Sequence, residues 1–301
     1  MSRVDTALID GDIVVYRSGF SAQHDIHTLS FEDDMGEAQF VYESKRELNA
    51  FIKEKELEDY EISTRTEVEP LANALHTVKK TIGTILEQTR AADFKVFLSK
   101  GENFRHRNAT ILKYKGNRDD LRRPVHYDDI RKYIIKYYDA IVCEDIEADD
   151  ALANYQTDTT VICSIDKDLL QVPGKHFNWV HASADDDRTG KILISPPIGL
   201  QKLWMQVLTG DATDNIPGIK GIGDVKAKRA LADCTTAEEY CFACIEKWNE
   251  YLLSDKAPEW VVGADTEEES IVYKHWDTGE EIRATAEDIV NEVYSLLKVG
   301  T

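Results

Sequence analysis

The sequence is poor in cysteine and has no long hydrophobic run. Five cysteines in 301 residues, irregularly spaced, exclude the disulfide framework of a small secreted domain. No apolar stretch approaches the ~20 residues that a membrane-spanning helix needs. The first residues, MSRVDTALIDGD, have an acidic residue where a signal peptide would have a basic flank. We therefore expect a cytoplasmic globular protein that does not bind membranes.

Positive charge is also scarce, but it is unevenly distributed. With 36 Lys and Arg against 56 Asp and Glu the net charge is −20, and a uniform surface of this sign would repel nucleic acid. Residues 105–123 nevertheless contain seven basic and two acidic residues, and a second basic group lies at residues 220–229. Because phosphate binding depends on the local potential, both segments are candidate contacts for nucleic acid.

Short apolar runs that alternate with helical patterns predict an α/β fold. Runs rich in β-branched and aromatic residues stand at 6–10, 94–99, 140–144 and 160–165, with a weaker run at 176–180. The clearest helix is predicted for residues 70–90, where Pro70 suits the first turn and an apolar stripe follows. Strands of this kind are typical of a mostly parallel central sheet flanked by helices.

The composition also predicts how the chain is divided. Residues 1–195 are assigned to an α/β core and residues 196–301 to a helical region with a small C-terminal extension. In that extension, residues 271–282 predict a hairpin, and Thr285 with Asp288 has the spacing of a capped final helix. The acidic residues 31–69 predict a solvated insertion or an exposed helix without chemistry.

Acidic residues stand just past the predicted strands. Because the carboxyl ends of parallel strands meet at one crevice, these side chains could converge there. They are Asp10 after the first strand, Glu147, Asp149 and Asp150 after the third, Asp166 and Asp168 after the fourth, and Asp211 and Asp214 in a later loop. Taken alone, each group is more often a helix cap or a solvated pair.

The four groups together favour a metal site. Their mutual repulsion would raise the carboxyl pKa values unless cations offset it. Oxygen ligands without nearby Cys or His suit Mg²⁺ or Mn²⁺, and two such ions can clamp a phosphodiester.

Two further segments suit nucleic acid. Residues 215–230, NIPGIKGIGDVKAKRA, read as a helix–turn–helix in which Gly218, Gly221 and Gly223 let the backbone approach a phosphate and Lys226 adds charge. The alternative is a tight helix connection that merely needs glycine. The segment from Phe104 interleaves Arg105 and other cations with Tyr114, which suits stacking on single-stranded nucleic acid; the alternative is a solvated basic helix face.

The motifs LIDGD, YKGNR, EADD, SIDKD and GDATDNIPGIKGIG, in this order over roughly residues 5–230, resemble the 5′-nuclease family. That family includes flap endonucleases, the 5′-nuclease domain of bacterial DNA polymerase I and bacteriophage 5′–3′ exonucleases, which the size and start of this chain resemble most. The resemblance implies a structure-specific 5′→3′ exonuclease or flap endonuclease that leaves 5′-phosphate and 3′-hydroxyl ends, in phage DNA replication or recombination. It implies a monomer that binds duplex DNA with a free 5′ end, a nick or a flap. The implied substrates extend to RNA–DNA hybrids.

The resemblance also implies roles for individual residues. Asp10, Glu147, Asp149 and Asp150 would serve one metal ion, and Asp166, Asp168, Asp211 and Asp214 the other. A helical arch, about 100–138, would carry Lys115 and Arg118 to the scissile phosphate with Tyr114 beside them. A helix–three-turn–helix, about 200–230, would grip duplex backbone and hold K⁺ on its turn carbonyls.

One departure from the family pattern concerns the second core strand. An aspartate usually follows it, whereas Ser99 or Lys100 stands there in this chain. Either Glu102 substitutes, or the first metal site is weakened, or the alignment shifts by a residue or two.

Three other functions remain open from the sequence. They are a DNA-junction binder without catalysis, a PIN-type ribonuclease, and a haloacid-dehalogenase-type phosphatase, which would leave the glycine turn unexplained.

Overall fold

The computed structural model describes residues 4–33, 36–118, 121–180, 192–195 and 199–300. The chain separates into two compact units. One unit contains Met1–Asp10, Ile85–Leu121 and Ala140–Thr301, and the other contains Gly11–Thr84 and Arg122–Asp139. No helix among the described residues is both long enough and apolar enough to cross a membrane.

The chain forms ten α-helices and twelve strands among its described residues. Up to the second half of the chain they are β1 (Thr6–Asp10), α1 (Gly11–Phe20), β2 (Gln23–Asp33), β3 (Gly36–Tyr42), α2 (Lys45–Glu54), β4 (Glu61–Val68), α3 (Leu71–Thr89), β5 (Asp93–Asn103), α4 (Phe104–Asn108), α5 (Tyr127–Tyr138) and β6 (Ile141–Asp145). They continue as α6 (Ala148–Tyr155), β7 (Thr160–Cys163), β8 (Gly174–Phe177), β9 (Ile192–Ser195), α7 (Gly199–Thr209), α8 (Asp224–Ala230), α9 (Ala237–Leu252), β10 (Val261–Asp265), β11 (Ser270–Lys274), β12 (Glu281–Thr285) and α10 (Ala286–Leu297).

A mostly parallel sheet is the centre of the first unit. Its strand order is β6–β5–β1–β7–β8–β9, and every neighbouring pair is parallel except β8 with β9. The five strands predicted from the sequence are confirmed as β1, β5, β6, β7 and β8, the last of which begins two residues earlier than predicted. The predicted α/β fold with a mostly parallel central sheet flanked by helices is therefore confirmed.

The apolar strands are continuous because helices cover them. Leu8 of β1 and Ile162 of β7 are almost fully buried against Leu152 of α6, in a cluster that also includes Phe97 of β5. Helix α3 confirms the predicted helix, with Val78, Ile82 and Ile85 of its apolar stripe buried. This packing leaves the carboxyl ends of β1, β6 and β7, and the start of α6, to carry polar side chains.

The helices that follow the sheet share a second core. Helices α7, α9 and α10 pack with the antiparallel sheet β10–β11–β12 around Trp248, which is fully buried. The predicted hairpin is confirmed as β11 and β12, and the final helix begins at the capping box of Thr285 and Asp288. Strand β10 was missed, because VVGAD is short and interrupted by Gly263.

Most described residues of segment 31–69 are exposed, as expected of a solvated insertion, but the segment is mainly strand and not an exposed helix. Strands β2, β3 and β4 form an antiparallel sheet in the order β3–β2–β4, and only α2 is helical. Phe51 of α2 lies 5.2 Å from Phe40 and 6.3 Å from Phe31, ring centre to ring centre. Leu29 and Leu48 are fully buried. The alternating aromatic residues within the charge-dense sequence therefore build a small core of their own.

In the connection between α7 and α8, alanine substitutions at two glycines should lower the stability of the protein by different amounts. A Cβ atom at Gly218 would lie 2.2 Å from the backbone carbonyl of Thr209, whereas nothing lies within 4 Å of a Cβ at Gly223. Gly218→Ala should lower the free energy of unfolding by about 1–3 kcal/mol, because the backbone must move. Gly223→Ala should cost less than about 1 kcal/mol. Urea denaturation of both variants measures this, and equal losses would contradict the packing described.

Candidate active site

The last residue of β1 lies at the centre of the acidic crevice. Asp10 is 3% exposed and accepts a hydrogen bond of 2.7 Å from the hydroxyl of Ser164, which directly follows β7. The neighbouring strands β1 and β7 thus hold Asp10 through a serine that the sequence analysis did not single out. A polar residue directly after a buried strand was the signal that could have identified it.

The start of α6 brings three more acidic residues to the same place. Glu147 is the N-cap residue, and Asp149 and Asp150 lie in the first turn. Ser99 of β5 accepts a 2.9 Å hydrogen bond from the backbone N–H of Ala148. Ser99, at the position of the family aspartate, therefore satisfies one of the free amides that every helix start presents.

The carboxylates repel one another. Burial raises the pKa of half-buried Asp149 well above its ordinary value, and the charges of Asp10, Asp166 and Glu147 raise it further. Desolvation, with the charge of Asp168, raises the pKa of Asp166. Because Asp166 is itself exposed, water screens much of its share of the repulsion. The cluster is short of positive charge around Asp149.

Lys115 and Arg118 offset part of this repulsion. The ammonium group of Lys115 lies 2.5 Å from Glu147 and 3.8 Å from Asp214, and Arg118 forms an ion pair with Asp214. Burial acts to raise the pKa of Glu147, but the pairing with Lys115 lowers it overall. For Asp214 burial prevails, and its pKa is raised despite both cations.

Backbone hydrogen bonds hold the YKGNR segment against the acidic loop 211–215. The Lys115 N–H donates to the carbonyl of Asp214 over 2.8 Å, and Arg118 Nε donates to the carbonyl of Thr213 over 2.9 Å. In return, Asn215 donates its amide N–H to the carbonyl of Lys113. The placement of the two cations is therefore set by the loop itself.

The arch expected over about 100–138 stays a prediction. The described part of that segment contains α4, a 3₁₀ turn at Gly116–Arg118 and α5. Residues 119 and 120, within the predicted arch, lie outside the described residues.

The direct DNA contacts predicted for Arg105 and Tyr114 do not fit their burial, since each residue is 2% exposed. The Tyr114 hydroxyl donates to Asp214 and Glu147, 3.0 Å and 3.2 Å away, and burial raises its pKa. Arg105 forms two N–H bonds of 2.6 and 2.7 Å with Asp150. The pattern of alternating cations and aromatics could not distinguish these interior partners from surface groups.

Asp150 also departs from its predicted role as a metal ligand. It is fully buried and accepts four hydrogen bonds, two from Arg105 and one each from the backbone N–H groups of Glu147 and Gly300. A carboxylate has about four lone-pair sites, so all are occupied. Burial acts to raise the pKa of Asp150, but these bonds lower it overall.

The remaining predicted ligands interact electrostatically but do not converge on one point. In the parts of the chain that the structure describes, no three His, Cys, Asp or Glu side chains stand where they could hold a metal ion. Glu147 and Asp214 pair with cations instead, and Asp168 accepts from Lys202 and Gln206, two α7 residues that carried no signal in the sequence. Asp211 accepts the backbone N–H of Thr213 in its own loop. The two ion positions stay predictions.

The donor chemistry nevertheless fits a divalent cation. The groups concerned are carboxylates, the ligands that hard cations prefer. The raised pKa values of Asp149 and Asp214 show that the positive charge of nearby side chains is insufficient.

The glycine-rich connection between α7 and α8 lies at the surface. Gly221 adopts φ of 86°, in the left-handed region that favours glycine, and no atom lies within 4 Å of a Cβ placed there. Lys226 donates to the Gly221 carbonyl over 2.8 Å. Gly218, by contrast, packs against Thr209, and this packing alone explains why a glycine is needed there. DNA contact at these residues stays a prediction.

Comparison with known proteins gives sequence relatives in two size classes. No family model matches the chain. It is 30% identical over 186 residues to DNA polymerase I of Caldicellulosiruptor bescii, a match covering 56% of this chain and 22% of that protein. It is 27% identical over 190 residues to a 5′–3′ exonuclease of Buchnera aphidicola, covering 58% of this chain and 64% of that protein. The chain thus spans about a fifth of the length of the DNA polymerase I relatives that it matches.

Among solved structures, the T5 D15 protein co-crystallised with metal ions is similar, with a TM-score of 0.49 and 15% identity. The match covers 97% of this chain and 86% of that one.

The crowding around Asp149 predicts that its charge destabilises the metal-free protein. Asp149→Asn should raise Tm in EDTA by about 2–4 °C, or roughly 1 kcal/mol. A carboxyl group with a raised pKa in the folded state makes the protein less stable as pH rises above the unfolded value of about 3.9. The gain should therefore be larger at pH 8 than at pH 5.

The matched control is Glu238→Gln, which removes an exposed charge from the first turn of α9. It should not raise Tm, because an acidic residue at a helix start is favourable. Calorimetry at the two pH values measures both variants, and an unchanged or lower Tm for Asp149→Asn would disprove the crowding.

Proposed function

The chain belongs to the 5′-nuclease family, and we propose that it is a divalent-metal-dependent 5′→3′ exonuclease or flap endonuclease acting on DNA. The sequence relative named a 5′–3′ exonuclease supports the reaction class. Its substrates would be duplexes with a free 5′ end, a nick or a flap, and the products would carry 5′-phosphate and 3′-hydroxyl ends. RNA–DNA hybrids, action as a monomer and a place in phage DNA replication or recombination are further parts of this proposal.

The observation that carries the proposal is the combination of crowded carboxylates with two tethered cations. Asp10, Glu147, Asp149 and Asp214 are associated at the strand ends, and Lys115 lies among them, 2.5 Å from Glu147. An acidic crevice alone would repel a phosphodiester. With Lys115 and Arg118 on loop 113–118, the site can contact phosphate and metal ions at adjacent positions.

The metal ions would occupy the two sides of this crevice. Asp10, Glu147 and Asp149 would hold one Mg²⁺ or Mn²⁺ ion, and Asp166, Asp168, Asp211 and Asp214 the other. When bound, the ions would supply Lewis-acid stabilisation of the charge that builds up on the phosphate.

The protein's own cations have a separate task in this scheme. In the structure the ammonium of Lys115 and the guanidinium of Arg118 are engaged by Glu147 and Asp214. Neutralising those carboxylates would release both cations to donate hydrogen bonds to the scissile phosphate. Because the backbone N–H of Lys115 and the Nε of Arg118 are bonded to loop 211–215, only the ammonium of Lys115 and the terminal N–H groups of Arg118 need to move. Pre-placed donors of this kind stabilise developing charge.

The glycine-rich connection would position the duplex. Lys220, Lys226, Lys228 and Arg229 are exposed around Gly221 and Gly223. They would bind the phosphate backbone without reading sequence. Carbonyl groups of the same turn, including that of Gly221, would hold K⁺. Only phosphodiesters near a 5′ end would then reach the carboxylates.

A second candidate function is DNA-junction binding without catalysis, and Ser99 is the observation that favours it. Its hydroxyl accepts the Ala148 N–H over 2.9 Å, so no carboxylate stands at that position of β5. Glu102 is exposed in the structure.

A nicked duplex distinguishes the two functions. The strand is labelled at the 5′ side of the nick and incubated with protein in Mg²⁺ and in EDTA. We expect mononucleotides or short oligomers only with Mg²⁺. Lys115→Ala should lower kcat by about 10²–10³-fold, the usual loss of a donor to transition-state charge.

Lys247→Ala is the control, because Lys247 of α9 pairs with Glu250 and belongs to neither the crevice nor the two basic segments. It should cleave like the original protein. Label that is retained in Mg²⁺ while a gel shift shows bound DNA would reject the nuclease and favour the junction binder.

The duplex interface makes a separate prediction about salt. Lys226→Ala should weaken binding to all sequences alike, measured in Ca²⁺ by fluorescence anisotropy. The slope of log affinity against log salt should become less steep by about 0.9, the value for one lost phosphate contact. Lys247→Ala, on the exposed face of α9 where Lys247 pairs with Glu250, should leave the slope unchanged. If both variants behave alike, the glycine-rich connection is not the interface.

A further inference from the structure

The segment 296–300, which contains the last two residues of α10 and the three residues that follow, reaches back to the acidic crevice. The Gly300 N–H donates to Asp150 over 3.0 Å. The carbonyls of Leu296 and Lys298 accept from Arg105, over 2.9 Å and 2.5 Å. These three backbone groups lie far from Asp150 in sequence, so only the fold brings them together.

Arg105 connects this segment to the start of α6. Four of its five guanidinium N–H groups are bonded, two to Asp150 and two to the carbonyls of segment 296–300, and Nη1 also lies 3.7 Å from the carboxylate of Glu147. Asp150 in turn accepts the N–H of Glu147 over 3.0 Å. Since Glu147 and Asp149 flank the first turn of α6, a shift of Asp150 would shift both. The bidentate geometry of Arg with a carboxylate restrains orientation as well as distance.

Packing and hydrogen bonds hold segment 296–300 in one backbone conformation. Gly300 has φ of 89°, which L side chains rarely adopt, and a Cβ there would lie 3.1 Å from the Cβ of Ala153. Gln171 accepts the Val299 N–H over 2.9 Å and donates to the Leu297 carbonyl over 3.2 Å. The backbone that faces Arg105 is therefore held from both sides.

We propose that segment 296–300, acting through Arg105, positions Asp150 and with it the start of α6 that carries Glu147 and Asp149. Arg105 and Asp150 are positioning residues that contact neither DNA nor metal. This inference rests on the proposed function for its catalytic consequence, but the restraint on α6 is independent of any activity.

A double-mutant cycle tests the proposal. Arg105→Lys keeps the charge but loses the four-bond geometry, and Asp150→Asn keeps the shape but loses the charge. Each should lower kcat on nicked duplex about 10–100-fold, as expected for groups that orient ligands, with KM unchanged. The double variant should be no worse than the poorer single variant, because both changes break one connection. Arg283→Lys is the control, since Arg283 of β12 forms an exposed pair with Glu268 and belongs to neither basic segment.

Two readouts do not depend on cleavage. Titration with Mn²⁺ should give the same number of bound ions for Asp150→Asn as for the original protein. Hydrogen exchange of the metal-free protein should be faster at residues 147–152 in both single variants, and unchanged in Arg283→Lys. Gly300→Ala, which leaves Arg105 and Asp150 in place, should speed exchange at the same residues. If Arg105→Lys does not fold, Gly300→Ala tests the restraint on α6 in its place.

Several results would overturn the proposal. A higher KM at unchanged kcat would make Arg105 a DNA contact, and the loss of an Mn²⁺ ion in Asp150→Asn would make Asp150 a ligand. Additive effects in the cycle, or unchanged exchange at residues 147–152, would separate segment 296–300 from the site. A protein that cleaves nothing in Mg²⁺ would refute the proposed function, whereas the exchange data would still decide the restraint on α6.

Discussion

Mutual repulsion among carboxylates at the ends of parallel strands is the constraint on which this structure depends. Asp10 ends a buried strand, and Asp149 stands in the first turn of a helix beside it, so the backbone leaves them no room to separate. Burial raises the pKa of Asp149, and the charges of Asp10, Asp166 and Glu147 raise it further. A fold selected only for stability would replace such a charge, so its presence supports a site built for cations.

The cations of the chain are distributed according to this repulsion. Lys115 and Arg118 are part-exposed and bind Glu147 and Asp214, whereas Arg105 is buried and forms two hydrogen bonds with Asp150 and two with the carbonyls of segment 296–300. The first two are accessible to an incoming phosphate, and the third is not. Positive charges close together in sequence therefore have different roles. Lys115 and Arg118 are exchangeable counterions, whereas Arg105 is a fixed support.

The residues after the central sheet contribute to the crevice as well as to their own core. Glu292 of α10 accepts the backbone N–H groups of Thr110 and Ile111, 2.8 Å and 3.0 Å away, and so holds the stretch that leads to Lys115. The segment after α10 reaches Arg105. Both observations show that the region after the central sheet supports the stretch leading to Lys115 and the buried Arg105, as well as its own core.

The sequence by itself determined the central strands, α3, the capped α10 and the positions of the acidic groups, because apolar runs, caps and strand-end polarity are local signals. Tertiary structure alone decided which charges meet. Arg105 and Tyr114 looked like surface groups in a basic run, and Asp150 looked like a ligand, but most of their partners lie 33 to 193 residues away in the chain. Residues 31–69 show the same limit, since their sheet forms only where aromatic side chains on separate elements pack together. Burial and long-range pairing depend on the whole fold, and no local pattern encodes them.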